Sequence, residues 1–329
     1  MKRMFVSVAL VALLVATSCA GLGSKSESDI ASKTQEAPKR QGWNDNEWGP
    51  LYGDVESVTF ARYDIADKFW GIVKGKCREK VVLKFNLKGD MVEVAGYNDD
   101  GSLGEKYLIK YDSQGNRVEW AEYNGDGSLS EKCLYKYDEQ GNMIEWAEYA
   151  EYNGIVFLRS SAKYRYTYDS QGNKVEWAKY NGDGSLRSKT FSKYDEQGNL
   201  IEEAEYYGDG SLWSKEVYKY DSQGNQIEEA LYNGDGSLRE KEVYDSQGNK
   251  IEYVWYNCDG SLGGKKVFKY DSQGNKIEYV WYNGDGSLYS KEVYKYKYDS
   301  QGNVIETVCY EGEIMKPYGM TERIIVYRK

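Results

Sequence analysis

Residues 270–288 read Tyr-Asp-Ser-Gln-Gly-Asn-Lys-Ile-Glu-Tyr-Val-Trp-Tyr-Asn-Gly-Asp-Gly-Ser-Leu, which is two turn phrases separated by one alternating segment. Asp-x-x-Gly is typical of a type I turn followed by a residue in the left-handed region, where glycine has no Cβ penalty. Between the two turns, Lys276 to Tyr282 alternates with a two-residue period, which indicates a β-strand. The stretch therefore predicts antiparallel strands joined by three-residue hairpin loops with a glycine bulge.

The two phrases repeat along most of the chain. Tyr-Asp-x-x-Gly-Asn recurs from Tyr111 to Asn303 at spacings of 26, 31, 26, 26, 24, 26 and 28 residues, with a Tyr-Asn-Gly-Asp-Gly-Ser-Leu-like phrase between copies. Eighteen turn phrases between Phe85 and Tyr310 predict about nineteen strands of seven to ten residues. The glycines of the first phrase should have positive φ, and they are Gly115, Gly141, Gly172, Gly198, Gly224, Gly248, Gly274 and Gly302.

These strands predict an all-β fold, a long antiparallel meander of tandem hairpin repeats. Each strand adds a twist of about −20 to −25°, and open sheets rarely exceed about ten strands without curling. We therefore expect the sheet to curl into a spiral or superhelix. Residues 97–303 form the regular array, and the irregular copies in residues 51–96 and 304–329 are predicted to cap it, because repeat arrays need atypical ends.

The first 18 residues are predicted to be an export signal. Lys2 and Arg3 precede an apolar run that is too short to span a bilayer. Small residues before Cys19 are similar to a bacterial lipobox, in which the cysteine becomes the lipidated first residue. The alternative is an ordinary secretory signal cut nearby, with Cys19 incidental.

Residues 19–50 contain little apolar content and are predicted to be a flexible tether that follows the lipidated cysteine. We therefore expect an exported protein that is lipid-anchored to the bacterial membrane, at the outer membrane or the cell surface.

Composition excludes several function classes. The chain has no histidine, which removes Ser-His-Asp hydrolysis and His-ligated zinc. Its net charge is −10 with lysines interspersed among acids, so it lacks the basic footprint of a nucleic-acid partner. Carboxylates recur with the repeat and none is singled out as a glycosidase pair would be. We expect no enzymatic activity, no cofactor and no nucleic-acid partner.

The remaining cysteines do not suggest a disulfide framework. They occupy unrelated positions of the repeat, which favours scattered single substitutions, although an exported protein could still pair two of them. They are Cys77, Cys133, Cys258 and Cys309.

The predicted turns also give a strand register. Tyr270 opposes Lys276 and Phe268 opposes Glu278, so each face mixes aromatic, aliphatic and charged residues, unlike the apolar outer face of a transmembrane barrel. Extending the register predicts like-charged pairs, which destabilise a sheet unless calcium, lysines or solvent relieve them. Neighbouring copies break this pattern, so we expect no metal site. The predicted pairs are Glu202 with Glu216, Glu228 with Glu242, and Glu278 with Glu292.

Aromatic residues recur at related strand positions and are the candidate ligand-stacking residues. Exposed flat rings suit stacking against sugars, whereas cross-strand packing would give them a structural role worth about 0.2–1 kcal/mol per pair. The candidates are Trp120, Trp146, Trp177, Tyr253, Tyr279, Trp255 and Trp281.

Tyr-Asp-x-x-Gly-Asn with a second glycine turn halfway to the next copy resembles the YD repeat of the bacterial RHS family and its animal relatives. The resemblance covers about residues 85–310, and Tyr111 to Asn116 is a good copy. It implies a spiralling β-sheet, which in long members of the family closes into a shell around a toxin. This chain has too few repeats for such a shell, and no toxin-sized domain is expected after them. A weaker resemblance is to MORN-variant repeat proteins.

Together these features predict a non-enzymatic cell-envelope lipoprotein. Its repeat array would serve as an interaction or scaffold surface for an unknown protein partner, with the membrane bound through the lipid anchor. The alternative is a glycan-binding module that uses the aromatic residues.

Overall fold

The computed structural model describes residues 51–68, 71–152, 154–312 and 315–328, and within these ranges the chain has twenty strands and no helix. The predicted export signal, Cys19 and tether lie outside the described residues. The predicted antiparallel meander is confirmed, because consecutive strands pair antiparallel throughout. The strands are β1 Val55–Lys68, β2 Gly71–Phe85, β3 Met91–Tyr97, β4 Leu103–Tyr111, β5 Arg117–Asn124, β6 Leu129–Tyr137, β7 Met143–Tyr152, β8 Ile155–Tyr168, β9 Lys174–Asn181, β10 Leu186–Tyr194, β11 Leu200–Tyr207, β12 Leu212–Tyr220, β13 Gln226–Asn233, β14 Leu238–Tyr244, β15 Lys250–Tyr256, β16 Leu262–Tyr270, β17 Lys276–Asn283, β18 Leu288–Tyr298, β19 Val304–Glu311 and β20 Lys316–Tyr327.

The Tyr-Asp-x-x-Gly-Asn phrase forms the predicted turn. In the turn between β4 and β5, the Gly115 amide donates to the Asp112 carbonyl at 3.2 Å, and the Asp112 amide donates to the Asn116 carbonyl at 2.9 Å. The Asp112 carboxylate accepts the amides of Gln114 and Asn116, each at 2.9 Å. All eight glycines of this phrase have φ between 82° and 92°, as predicted.

The second phrase forms the same backbone turn but uses a different carboxylate. Between β5 and β6, the Ser128 amide and hydroxyl donate to the third-position Asp126 at 2.9 and 2.6 Å. The Asn124 side-chain amide donates to the Ser128 hydroxyl at 3.0 Å. The Asn124 side chain therefore binds the serine hydroxyl, and the Asp126 carboxylate binds the serine backbone amide.

The tyrosine that begins the first phrase fastens its turn to the preceding one in most copies, whereas Tyr244 bonds Glu229 and Glu242 instead. Tyr220 at the end of β12, for example, donates its hydroxyl at 2.8 Å to the carbonyl of Leu200, which begins β11 directly after the preceding first-phrase turn. In the two lengthened repeats, which end at Tyr168 and Tyr298, the tyrosine two residues earlier makes this bond instead. The phenol position is therefore fixed by distance from the previous turn. Equivalent donors are Tyr111, Tyr137, Tyr194 and Tyr270.

The sheet closes on itself, so the predicted open spiral is wrong. Phe60 of β1 opposes Val81 of β2 on one side and Arg323 of β20 on the other. The first and last strands thus pair with each other and the sheet forms a barrel. Closure satisfies the backbone donors and acceptors that two free edge strands would leave open. The pairing strands lie in the segments that the sequence predicts as caps.

The predicted register is wrong by one residue beyond each turn. Tyr270 opposes Lys276 as expected, but a bulge between Lys269 and Tyr270 then places Phe268 opposite Tyr279 rather than Glu278. A bulge sets two residues against one, and the prediction named the bulge without counting its extra residue.

The second turn has the same bulge and changes the predicted carboxylate pairs. Glu203 rather than Glu202 opposes Glu216. Likewise Glu229 opposes Glu242 in place of Glu228, and Tyr279 opposes Glu292 in place of Glu278.

Opposed residues of paired strands share a face, so the pairs trace two faces around the sheet. One face carries Phe60, Tyr107 and Trp120, which are only 4%, 2% and 6% exposed. The other carries lysines whose side chains are mostly exposed, such as Lys110 at 64% and Lys219 at 61%. We call the first the inner face, because large side chains are covered on the concave side of a closed sheet.

The hydrophobic core is concentrated at one part of the inner face. It includes Val58, Phe60, Leu83, Val94 and Tyr107, together with residues of the strands up to β6. Beyond β7 the inner face carries mainly half-buried aromatic and charged side chains.

Candidate functional site

All seven candidate stacking residues lie on the inner face, but three of them are committed to packing. Trp120 is buried and stacks on Tyr107 with ring centroids 5.6 Å apart. Trp146 packs against the hydrophobic core. Trp177 lies 6.2 Å from Tyr164 in a tilted arrangement. These contacts assign the three tryptophans to cross-strand packing of the kind that stabilises sheets.

The other candidates meet on strands β15–β17. Lys266 directs its ammonium at three rings, with centroids 5.6 Å away for Tyr253, 5.8 Å for Trp255 and 5.1 Å for Trp281. The two tryptophans contact each other edge-to-face at 5.9 Å. We call these four residues the Lys266 cluster. Tyr279 lies beside it and pairs with Phe268 at 5.6 Å.

A shallow, open cavity of about 320 Å³ is lined in part by Tyr253 and Lys266 of this cluster. Within it, Glu240 accepts the Tyr253 hydroxyl at 2.8 Å and Glu242 accepts the Lys250 ammonium at 2.6 Å. Burial, followed by the bond to Glu240, raises the pKa of Tyr253 to about 12. The cavity thus combines ring faces with charged groups and the Tyr253 hydroxyl, and its lining residues are Glu240, Glu242, Lys250, Tyr253, Lys266 and Phe268.

A ladder of carboxylates crosses the inner face beside this cavity, from β11 to β14. Glu203 opposes Glu216, and Glu229 opposes Glu242. Burial, reinforced by the neighbouring carboxylates, raises the pKa of Glu203 and Glu229 above the usual range. Among the residues that the structure describes, no three His, Cys, Asp or Glu side chains converge as metal ligands.

Tyrosines partner this ladder. Tyr218 donates its hydroxyl to Glu216, and Tyr244 donates to both Glu242 and Glu229. Opposed like charges are destabilising, and these hydroxyl donors offset part of that repulsion.

The outer face has the opposite electrostatic character. Glu278 accepts Lys269 at 2.7 Å and Lys291 at 3.0 Å from the two neighbouring strands. The two lysines hold the pKa of this carboxyl below its usual value. Equivalent triads centre on Glu119 and Glu228. The outer wall is therefore covered by paired charges across neighbouring strands.

Apolar side chains are exposed together at the end of the β7–β8 hairpin, whose strands of 10 and 14 residues are longer than the 8 and 9 residues of β5 and β6. Tyr152 is 72% exposed and Ile155 is 68% exposed, and the next three residues are 47% to 53% exposed. We call Tyr152 and Ile155–Leu158 the β7–β8 tip. The signals for it were the 31-residue spacing and the uninterrupted Ile-Val-Phe-Leu run, which the sequence-based prediction did not use.

Two further findings concern covalent and membrane features. Cys77, Cys133, Cys258 and Cys309 are all free thiols. Over the described ranges, no helix is long and apolar enough to cross a membrane.

No family model matches the chain, and no curated protein matches it. Among solved structures, one of TcdB2-TccC3-TEV matches 82% of this chain at 13% identity with a TM-score of 0.29. The chain spans only 16% of the length of that structure's chain.

Two porin-like proteins also match. The one from Bacteroides uniformis covers 83% of this chain and 96% of its own, at 8% identity and a TM-score of 0.32. The one from Bacteroides vulgatus covers 83% and 98%, at 11% identity and a TM-score of 0.28. Likenesses with TM-scores this low carry no argument about family or function.

Proposed function

We propose that this chain is a non-enzymatic, lipid-anchored protein of the bacterial cell envelope whose closed β-repeat wall serves as an interaction scaffold. The observation that carries the proposal is the β7–β8 tip. Single exposed apolar residues are ordinary on a protein surface, but contiguous ones mark interaction sites. The tip exposes five apolar or aromatic side chains at the end of one hairpin.

The paired charges of the outer wall also favour the β7–β8 tip as the contact surface. Its glutamates are already paired with lysines of adjacent strands, as Glu228 is with Lys219 and Lys241 at 2.7 and 2.6 Å. Such a surface is solvated and internally neutralised, so it offers little unpaired charge to a partner. In this proposal the wall supports the β7–β8 tip, and the tip makes the contact with the partner.

A photo-cross-linking residue placed at Phe157 tests this assignment in the native cell. We expect covalent adducts from that position when the full chain is expressed in its own envelope. The matched control is Tyr289, which is 61% exposed on another hairpin of the same sheet. Adduct formation at both positions, or at neither, would contradict a contact role for the β7–β8 tip.

The anchoring part of the proposal is tested separately. Wild-type chain should incorporate a fatty-acid analogue and partition into detergent, and Cys19→Ala should abolish both. Labelling that persists in Cys19→Ala, or that never occurs in the wild type, would argue for an ordinary cleaved signal.

A second candidate function is glycan binding at the Lys266 cluster. Three half-buried rings surround one ammonium there, at an open cavity of about 320 Å³ lined by two carboxylates, two ammonium groups and the Tyr253 hydroxyl. Sugars combine apolar ring faces with hydroxyls, so stacking rings beside fixed polar groups suit them.

A glycan array with the full chain distinguishes this candidate. Saturable binding that is lost in Trp281→Ala and retained in Trp213→Ala would support it, because Trp213 is 46% exposed on a different strand. Trp120→Ala is a poor test, since Trp120 is buried and its loss would disturb packing. An array without any saturable ligand would leave the interaction role as the better explanation.

A further inference from the structure

The short segments before β1 and after β20 meet where the sheet closes. The Arg328 amide donates to the Asp54 carbonyl at 2.9 Å. Tyr327 at the end of β20 opposes Val55 at the start of β1, and the next pair skips one residue of β1. Gly53 has a φ of 86°, a conformation that favours glycine. Segments that are far apart in sequence therefore share one backbone bond, one opposed pair and one left-handed glycine.

The first-phrase turns of the array have the same features. Between β4 and β5, the Asp112 amide donates to the Asn116 carbonyl at 2.9 Å, and Gly115 has a φ of 92°. Tyr111 opposes Arg117 there, and the next pair again skips one residue of the strand after the turn. The segment after β20 therefore supplies the first two positions of a first phrase, and the segment before β1 supplies the last two. We call residues 51–54 and 327–328 the split turn.

The split turn also contacts the preceding turn as an intact one does. Tyr327 donates its hydroxyl to the Asp299 carboxylate and accepts the Asn303 side-chain amide at 2.7 Å. Tyr298 makes the same two contacts with the aspartate and asparagine of the turn before it, at 2.9 and 3.1 Å. The stacking of turns along this rim therefore continues through the split turn.

Asn303 departs from the other copies in a way that joins the two halves. In the regular phrase the asparagine side chain bonds the aspartate of its own turn, as Asn249 does with Asp245 at 3.0 Å. Asn303 is fully buried, and it instead accepts the Tyr52 amide at 2.5 Å and donates to the Tyr52 carbonyl at 2.9 Å. Its side chain thus contacts both halves of the split turn, through the backbone of Tyr52 on one side and the Tyr327 hydroxyl on the other.

Arg328 fixes the split turn on its opposite side. Its guanidinium donates to the Asp54 carboxylate at 2.7 Å and to the Asn86 carbonyl at 2.8 Å, in the turn between β2 and β3. Hydrogen bonds from a charged donor are about twice as strong as neutral ones. The split turn is therefore bonded to the turns on both sides of it.

We infer that the split turn is one first-phrase turn made in two halves, and that it is the clasp that closes the sheet. The array is then a ring of hairpins, in which a break in the chain is accommodated at a first-phrase turn whose halves are held together. The contacts of Asn303 and Arg328 hold the halves together between residues 328 and 51. The inference concerns closure and does not depend on what the β7–β8 tip contacts.

Hydrogen exchange of the full chain tests the clasp with two substitutions and two matched controls. Asn303→Ala removes the bonds to the N-terminal half, and Gly53→Ala places a Cβ 3.0 Å from the Tyr327 ring. Because Asn303 makes two bonds of about 1 kcal/mol each to this half, exchange at the amides that pair β1 with β20 should rise at least about 10-fold. The controls are Asn249→Ala and Gly248→Ala, and a Cβ on Gly248, with φ of 83°, has nothing within 4 Å. The controls should raise exchange only around their own turn.

Circular permutants test whether the split turn is equivalent to an intact one. Lys329 is joined to Leu51 through a short Gly-Ser linker, and residues 1–50 are moved to the new N-terminus. One permutant is opened between Ser222 and Gln223 of an intact first phrase, and a second at the equivalent bond of the turn between β16 and β17. Both should keep the wild-type circular dichroism spectrum and the protection of β1 and β20, because the linker replaces the clasp.

Two results would each overturn the inference. One is an Asn303→Ala variant in which exchange rises only around its own turn, as in Asn249→Ala, because Asn303 would then stabilise that turn alone. The other is failure of both permutants to form the native sheet, because the split turn would then not be interchangeable with an intact one.

Discussion

Substituting either glycine of the second turn phrase should destabilise the protein, but for different physical reasons. In the turn between β13 and β14, a Cβ on Gly234 would lie 2.1 Å from the Leu212 carbonyl oxygen of the preceding turn. Gly236 has φ of 83° and nothing within 4 Å of its Cβ position. Gly234→Ala must therefore push two stacked turns apart by more than about 1 Å, whereas Gly236→Ala only strains one residue.

The expected magnitudes follow from these contacts. Overpacking of this kind costs about 1–3 kcal/mol, and because the obstacle is backbone we expect Gly234→Ala near the upper end. A residue with a Cβ in the left-handed region costs about 1–2 kcal/mol. Asparagine tolerates that region, so Gly236→Asn should recover most of the loss, and Gly234→Asn should recover none.

The chain supplies its own control for this experiment. Cys258 occupies the position equivalent to Gly234, in the turn that follows the repeat shortened to 24 residues. Tight approaches of 2.0–2.2 Å to the preceding leucine carbonyl occur at Gly125, Gly208, Gly234 and Gly284. In each of these four repeats, the strand that begins at the contacted leucine has nine residues. The corresponding strand of the Cys258 repeat, β14, has seven. Cys258→Ala should therefore be neutral.

Denaturant unfolding of the full chain measures the size of each change, and hydrogen exchange measures its location. Protection should be lost first around residues 206–238 in Gly234→Ala, since each strand contacts mainly its sequence neighbours. Equal stability of Gly234→Ala and Cys258→Ala would refute the reasoning, as would a Gly234→Asn variant as stable as Gly236→Asn.

Three further predictions concern the first turn phrase and the inner face. Gly224→Val puts a β-branched residue at φ of 82° and should cost at least about 1–2 kcal/mol, with early exchange near residues 212–232; unchanged exchange there would contradict it. Tyr220→Phe removes the phenol bond to the preceding turn and should cost about 1 kcal/mol. Hydrogen exchange near the turn before Leu200 should rise in Tyr220→Phe and not in Tyr244→Phe, because Tyr244 bonds carboxylates instead, and unchanged exchange in Tyr220→Phe would argue against turn fastening. Burial and then Glu242 raise the pKa of Glu229 above 4.5, so the folded chain holds this proton more tightly than the unfolded chain. The protonated Glu229 therefore stabilises the fold below pH 4.5, and this contribution is lost as the pH rises. Glu229→Gln should raise Tm at about pH 7.5 and leave it unchanged at about pH 4. Equal shifts of Tm at both pH values would be inconsistent with this titration.

Local chemistry made the strands and turns predictable from the sequence. Asp-x-x-Gly needs a left-handed glycine, and the two-residue alternation of Lys276 to Tyr282 indicates a strand, so the meander and the positive φ of Gly224 follow from neighbouring residues alone. The absence of histidine likewise excludes His-dependent catalysis and His-ligated zinc on composition alone.

The site depended on longer-range geometry. The one-residue shift at each bulge decides that Glu229 rather than Glu228 meets Glu242, and that Lys266 opposes both Tyr253 and Trp281. A shift of one residue exchanges the two faces of a strand, so an error in counting the bulge changes every cross-strand partner.

Only the tertiary structure decided that the sheet closes. The edges of β1 and β20 are more than 250 residues apart in sequence, and their pairing of Phe60 with Arg323 follows no local pattern. Closure then separates an inner from an outer face, which buries Trp120 and leaves Lys219 exposed, although both belong to regular repeats. The sequence by itself determined the repeating hairpin, because turn chemistry acts over a few residues. The tertiary structure determined which side chains are covered, because burial depends on the curvature of all twenty strands together.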